Sequence, residues 1–216
     1  SSANVDEVIK KRILEKTDVA AQTLRLLYQE KSVDIKNKIK FEKTPEMKLY
    51  ENKEQFVDIY PFVPYQFNLL GNVLNSIRTH GASGKHLSEG ERSMLALFKK
   101  SAMRLMDKTD GALVPFYMFY DALDNFLDAV HSRVIAQALE NRNINPTGEK
   151  DCFAVNVLKV WFLVKYVIAM EDTNLQNITS LMVSHVDEDI YSLTKQVEAA
   201  LAVLKKETLI QEHSGN

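Results

Sequence analysis

Gly84-Lys85 is the place where a phosphate-binding loop could begin, since glycine bares backbone N–H groups and lysine adds charge beside them. A P-loop requires GxxxxGK[ST], but Thr79 stands at the first glycine and His86 at the magnesium-binding hydroxyl. No apolar strand leads into the segment, so it is not a Walker A motif. Just downstream, Ser88-Glu89-Gly90-Glu91 has the spacing of a helix-opening capping box. Lys85, His86 and Arg92 gather at that start. Free N–H groups and the helix dipole favour anions there. Two readings fit: a solvated cap, or a contact to the phosphate of a nucleotide or nucleic acid.

Other reactive residue types lack the spacing their chemistry needs. His80, His86, His131, His185 and His213 form neither HxxxH nor HExxH, so no metal site is expected. The single cysteine, Cys152, cannot form an intrachain disulfide and has no base beside it, so it reads as an inert core thiol. Asp187-Glu188-Asp189 falls at a helix start, where negative charge simply suits the dipole. Trp161 sits in an apolar helical run and reads as core rather than a stacking platform. No catalytic residues are therefore assigned.

One more helix could read a base edge. Ile190, Leu193, Val197, Leu201 and Leu204 recur at helical spacing, which leaves Lys195, Gln196 and Lys206 on the outer side. Gln196 and the two lysines are the only candidates there for contacting nucleic acid. Residues 150–216 carry six Lys/Arg against nine Asp/Glu, which favours protein interaction over DNA.

The elements that must position these groups are mostly helices. Seven glycines and five prolines in 216 residues are few chain breakers, and 45% hydrophobic with 26% charged is an ordinary globular balance. A formal charge of -2 excludes a surface that is basic throughout. Residues 60–110, with seven Lys/Arg against four Asp/Glu, form the local positive field. The longest apolar stretch, Phe153–Met170, is interrupted by Asn156, Lys159 and Lys165 and is not expected to span a membrane. No signal peptide is legible, so a reduced cytoplasmic setting is expected.

Helical spacing predicts helices over Val5–Glu15 and Val19–Glu30, with Asn4 and Asp18 as caps. Val33, Ile35, Ile39 and Phe41 share one parity and predict a short extended arm at 33–41; Thr44–Gln55 reads as a polar loop. Tyr60-Pro61-Phe62-Val63-Pro64-Tyr65-Gln66-Phe67 reads as a rigid apolar staple ahead of a helix over Tyr65–Arg78, which Gly81 stops. The next helix runs to about Asp107, with Met94, Leu95, Phe98, Ala102, Leu105 and Met106 on one face and Ser93, Lys100 and Arg104 opposite. A long helix from Phe116 to about Asn141 ends at the Asn145-Pro146-Thr147-Gly148 turn. The last third predicts helices over Phe153–Met170 and Asn174–Met182 and a third, capped by Asp187 or Asp189, running to Lys206, then a strand at Thr208–Gln211. Three helices and a strand outline a winged helix-turn-helix whose wing is truncated. Ser1-Ser2-Ala3 reads as a cloning remnant. The expected fold class is thus mainly α, a helical lid-like region over 1–150 followed by a winged-helix-like domain over 151–216.

Tyr60–Phe67, followed by His80-Gly81-Ala82-Ser83-Gly84-Lys85-His86-Leu87-Ser88-Glu89-Gly90-Glu91-Arg92-Ser93-Met94-Leu95, resembles the large P-loop ATPase of bacterial BREX phage-defence systems, the BrxC/PglY type. Leu113–Tyr117 and Val157–Val160 are similar to it too. The resemblance implies an AAA+-like ATPase whose Walker motifs lie elsewhere in a longer parent protein. ATP and magnesium would bind there, and this piece would hold no cofactor of its own. By analogy with AAA+ lids, Arg92 would sense the nucleotide phosphate, with Lys85 beside it in the full-length context. Implied partners are the ATPase core of the same chain, other BREX components and, optionally, DNA. A stand-alone DNA-binding winged helix is the alternative.

Overall fold

A computed structural model describes residues 2–80, 91–123, 127, 129–165, 167 and 173–211. These form helices α1 (Ser2–Arg12), α2 (Asp18–Lys38), α3 (Lys53–Ile59), α4 (Tyr65–Thr79), α5 (Glu91–Met103), α6 (Tyr117–Leu123), α7 (Ala129–Glu140), α8 (Phe153–Val164), α9 (Leu175–Met182) and α10 (Ile190–Lys206). The protein is mainly α: no strand occurs among the described residues, and Ala112 and His185 form an isolated antiparallel bridge.

Helix starts follow local chemistry. Thr17, Asn52, Asn174 and Asp189 each accept a backbone N–H from their own first turn, which satisfies one of the donors a helix start leaves open. Thr17 thus takes the capping role expected of Asp18, and Asn4 lies inside α1 rather than before it. Asn52 opens α3 where a polar loop was expected, because Phe56, Val57 and Ile59 are drawn into the core.

The extended arm expected at 33–41 is helical as far as Lys38, and Ile39 after it takes up extended geometry. The inward residues of this stretch are Leu24, Tyr28, Ile35 and Ile39, spaced four and seven apart, whereas Val33 points to water. Helical period therefore prevails over the two-residue alternation. Beyond the helix, the chain at 40–42 joins α9 through polar pairs. Ser180 Oγ donates to the Lys40 carbonyl at 2.6 Å, and Asn177 Oδ1 accepts the Glu42 N–H at 2.7 Å. Both side chains are buried, so these bonds carry the cost of desolvating them.

The staple segment is the structural centre. Phe62, Val63, Tyr65 and Gln66 are all buried. Phe62 and Phe67 each lie with ring centroids 4.6 Å from Phe98 of α5, and Phe119 of α6 stands 5.2 Å from Phe98. Gln66, with no exposed surface, accepts the Val63 N–H at 2.9 Å and donates to the Val114 carbonyl at 2.6 Å. The Pro61 carbonyl in turn accepts the Val114 N–H. One buried amide thus ties the turn before α4 to a segment 48 residues later.

The boundary expected at 150/151 is crossed by one continuous core running from Ile9 to Ile210. Backbone bonds also cross it, from Leu113 N–H to the Ser184 carbonyl and from Phe116 N–H to the Leu181 carbonyl. Gly111, at φ +100°, makes that approach possible. A Cβ there would lie 2.9 Å from the His185 ring and 2.9 Å from a Val186 methyl.

In the last third, α8, α9 and α10 fall close to the three expected helices, with the described part of the first ending at Val164. The strand expected at Thr208–Gln211 is instead a helix C-terminal turn. Thr208 adopts φ +61°, its N–H bonds to the Lys205 carbonyl, and the Leu209 N–H bonds to the Leu204 carbonyl. That pair of bonds is a Schellman motif, built to close α10 rather than to begin a sheet. The expected helix Phe116–Asn141 is represented by α6 and α7.

Candidate functional site

Helix α5 carries Arg92 in its first turn. The helix is anchored by Met94, Leu97 and Phe98, all buried, and by Ser93 and Ser101, buried as well. Ser93 was expected on the outer face; its burial shows that α5 packs on two sides, against α1 on one and α6 on the other. The expected apolar stripe is rotated accordingly. Met94 and Phe98 enter the core, Leu95 and Ala102 are half-buried, and Met106 is 76% exposed. Arg92 itself projects into solvent. Lys85, its expected companion, lies outside the described residues, as do His86 and the Ser88–Gly90 part of the capping box.

The α10 candidates occupy a different surface. Lys195 and Lys206 are exposed and eleven residues apart, three helical turns, so they fall on one stripe about 16 Å long. The Lys195 ammonium sits 4.5 Å from the ring centroid of exposed Tyr191, a cation–π arrangement. Gln196 donates to Ser192 Oγ at 3.2 Å. It also lines a cleft of about 220 Å³ with Tyr117, Asp151, Asn156, Ser184 and Glu188.

The cleft's polar groups largely satisfy one another. Glu188 accepts from the Ser184 N–H at 3.1 Å and hydroxyl at 3.2 Å, and Asp151 accepts from Asn156 at 2.8 Å. Burial, reinforced by the Asp151 charge and to a lesser degree by Asp121, pushes the Tyr117 phenol up to about 12 against a lowering from Arg104. Two carboxylates beside Gln196 make this wall unfavourable for a phosphate backbone. Arg92 and the α10 residues therefore do not converge on one site: the first lies on α5 and the others on the last helix.

Cys152 is buried at the start of α8, with its thiol directed at the Ile144 carbonyl at 3.6 Å. Trp161 is core, as expected. Among the described residues, no group of three or more His, Cys, Asp or Glu side chains could hold a metal ion, and no helix is long and apolar enough to cross a membrane.

Two features escaped sequence reasoning. Gln66 reads as an ordinary helix residue until Val114 is placed against it. Exposed Met106, just past the end of α5, reads as part of the inward face, because periodicity cannot tell which part of an apolar stripe finds a neighbour. The net positive charge of residues 60–110 was the available signal for the surface around it. No family model and no solved structure matches the chain.

Proposed function

We propose that this chain is a non-catalytic regulatory and interaction part of an AAA+-like ATPase of a phage-defence system, with α5 as the element that couples nucleotide state to a bound partner. ATP and magnesium would be held by Walker elements of the parent protein. Arg92, with Lys85 near it, would meet the nucleotide phosphates, and α8–α10 would stand as the helical part of a winged helix-turn-helix. The supporting observation is the construction of α5. Its first turn offers an exposed arginine, its middle is locked into the aromatic core, and its far end borders an open apolar surface. A short helix so anchored moves as a unit, and a push at one end reaches the other.

Arg92 tests this reading. A cation at a helix start opposes the dipole, and the side chain is exposed, so folding gains little from it. Arg92→Ala is expected to shift the stability of the chain by less than about 0.5 kcal/mol. In the intact ATPase the same change is expected to lower turnover by about 10³-fold or more, the scale for an arginine that meets transition-state charge. Unchanged turnover would remove Arg92 from the nucleotide site.

The second reading, a DNA-binding module, draws support from the shared stripe of Lys195 and Lys206. It requires nanomolar, sequence-selective binding abolished by Lys195→Ala with Gln196→Ala. Weak binding in the range of about 10⁻⁴–10⁻⁶ M, falling steeply with salt, would mark it as non-specific.

A further inference from the structure

Between the end of α1 and the length of α5 the surface opens into a trough of about 480 Å³. Ile13, Leu95, Ala102 and Met106 supply its apolar lining. Leu95 and Ala102 lie seven residues apart on α5, about 10 Å or two helical turns, and Met106 follows four residues later. Beyond Met103 the chain continues in tight turns, with Leu105 N–H bonded to the Ala102 carbonyl and Met106 N–H to the Met103 carbonyl, which carries the stripe past the helix end. Met106, on this stripe, is 76% exposed, and Met103 beside it is 58% exposed.

The charges around the trough have one sign. Arg12 and Lys99 line it, no carboxylate does among the described residues, and α1 ends in Lys10, Lys11 and Arg12. Basic residues suit a helix C-terminus, which gives the α1 cluster a local use. Lys99 has no such use: it stands on the apolar stripe between Leu95 and Ala102, is exposed, and makes no ion pair among the described residues. A cation inside an apolar stripe costs any purely apolar partner the desolvation of that charge, and rewards a partner that brings a carboxylate to it.

We infer that this trough docks an acidic amphipathic helix of a partner protein, its apolar ridge seated on Leu95, Ala102 and Met106 and its flanking carboxylates facing Arg12 and Lys99. The inference rests on the interaction reading above and names the chemistry of the partner. Ile13, just past the end of α1, forms one wall and α5 the other, so a helix laid between them buries apolar surface on both, with anchors spaced i, i+4, i+7 and i+11. Small Ala102 at the centre permits close approach. Flexible methionine side chains at the far end adapt to the shape of an incoming anchor.

The probe is a fluorescein-labelled synthetic helix of fourteen residues with leucines at i, i+4, i+7 and i+11 and glutamates flanking them. A lysine-flanked version is its control, and anisotropy is read against the whole 216-residue chain. The glutamate peptide is expected to bind in the micromolar range and the lysine peptide at least about tenfold more weakly. Lys99→Glu and Ala102→Glu, each confirmed as folded by its melting curve, should weaken the glutamate peptide by about tenfold or more. Binding that is absent, equal for both peptides or unaffected by these variants overturns the inference. So does a concentration-dependent dimer in sedimentation that Met106→Asp returns to monomer, since the trough would then be a self-interface. None of these outcomes touches the Arg92 turnover test, so a failure of the partner chemistry and a failure of the nucleotide-coupling reading are told apart.

Discussion

The two sides of α5 are made from similar residues and treated in opposite ways. On the inner side, Leu97 and Phe98 have almost no exposed surface, and Phe98 sits among Phe62, Phe67 and Phe119. On the outer side, Leu95 and Ala102 are half-covered and Met103 and Met106 stand in water. The difference lies in what each side meets. The inner side faces the staple, whose turn is fixed by two prolines and by Gln66, so a rigid surface is waiting for it. Among the described residues, the outer side borders the trough beside the end of α1, and the stripe outruns that neighbour. Apolar character alone therefore does not mark core; the presence of a facing element does.

The comparison is most readily broken from inside. Phe98→Ala removes a ring that fills the space between α4, α5 and α6, and is expected to cost about 3–5 kcal/mol in urea denaturation. A loss below 1 kcal/mol would mean that the aromatic cluster is not what holds α5.

A smaller but still large effect is expected at Gly111, which serves the same core by letting residues 111–114 approach 184–186. Alanine there meets a left-handed backbone angle and a buried Val186 methyl at 2.9 Å. Gly111→Ala should destabilise by about 1–3 kcal/mol. The His185 ring, half-exposed, can turn aside, whereas Val186 cannot.

Lys16 sharpens the contrast with Lys99, for it is a cation drawn inward rather than left in water. Its ammonium donates to the Asp58 carbonyl at 3.2 Å, and burial lowers its pKa from 10.5 to about 8, with the Asp58 charge opposing the shift. In the folded chain Lys16 releases its proton near pH 8, and in the unfolded chain near 10.5. Between those values the unfolded state holds more protons, so stability from this residue rises with pH. At pH 7 the partly buried charge is a modest liability. Lys16→Met should therefore raise the urea midpoint slightly at pH 7 and flatten its rise between pH 8 and 9.5. Above pH 10 the slope should reverse, because burial holds the Tyr50 and Tyr65 phenols protonated in the fold when they would ionise in the unfolded chain.

Much of the helical frame is legible in the sequence because it rests on local signals. Asp189 as the cap of α10, the turn at Asn145–Gly148 and the span of α4 need only neighbours a few residues away. The departures arise where a local pattern fits two conformations equally well. Ile35 turns inward because it continues the helical stripe of Leu24 and Tyr28 on α2, which overrides an alternation that fits a strand equally well. Thr208 closes α10 in a Schellman turn, although Thr208-Leu209-Ile210 reads as β-forming by residue type. The candidate residues divide in the same way. The outward positions of Arg92, Lys195 and Lys206 follow from periodicity, whereas the trough depends on how far α1 extends along α5.

The central claim is that the outer side of α5 is a docking surface and the inner side is not. The seven methionines offer a direct readout by NMR of ¹³C-labelled methyl groups, since Met103 and Met106 border the trough while Met94, Met118 and Met182 are buried. On titration with the glutamate-flanked helix, the Met103 and Met106 methyl signals are expected to shift together and saturate, with those of Met94, Met118 and Met182 unmoved. Unchanged Met103 and Met106 signals at saturating peptide, or shifts confined to the buried methionines, would contradict the account.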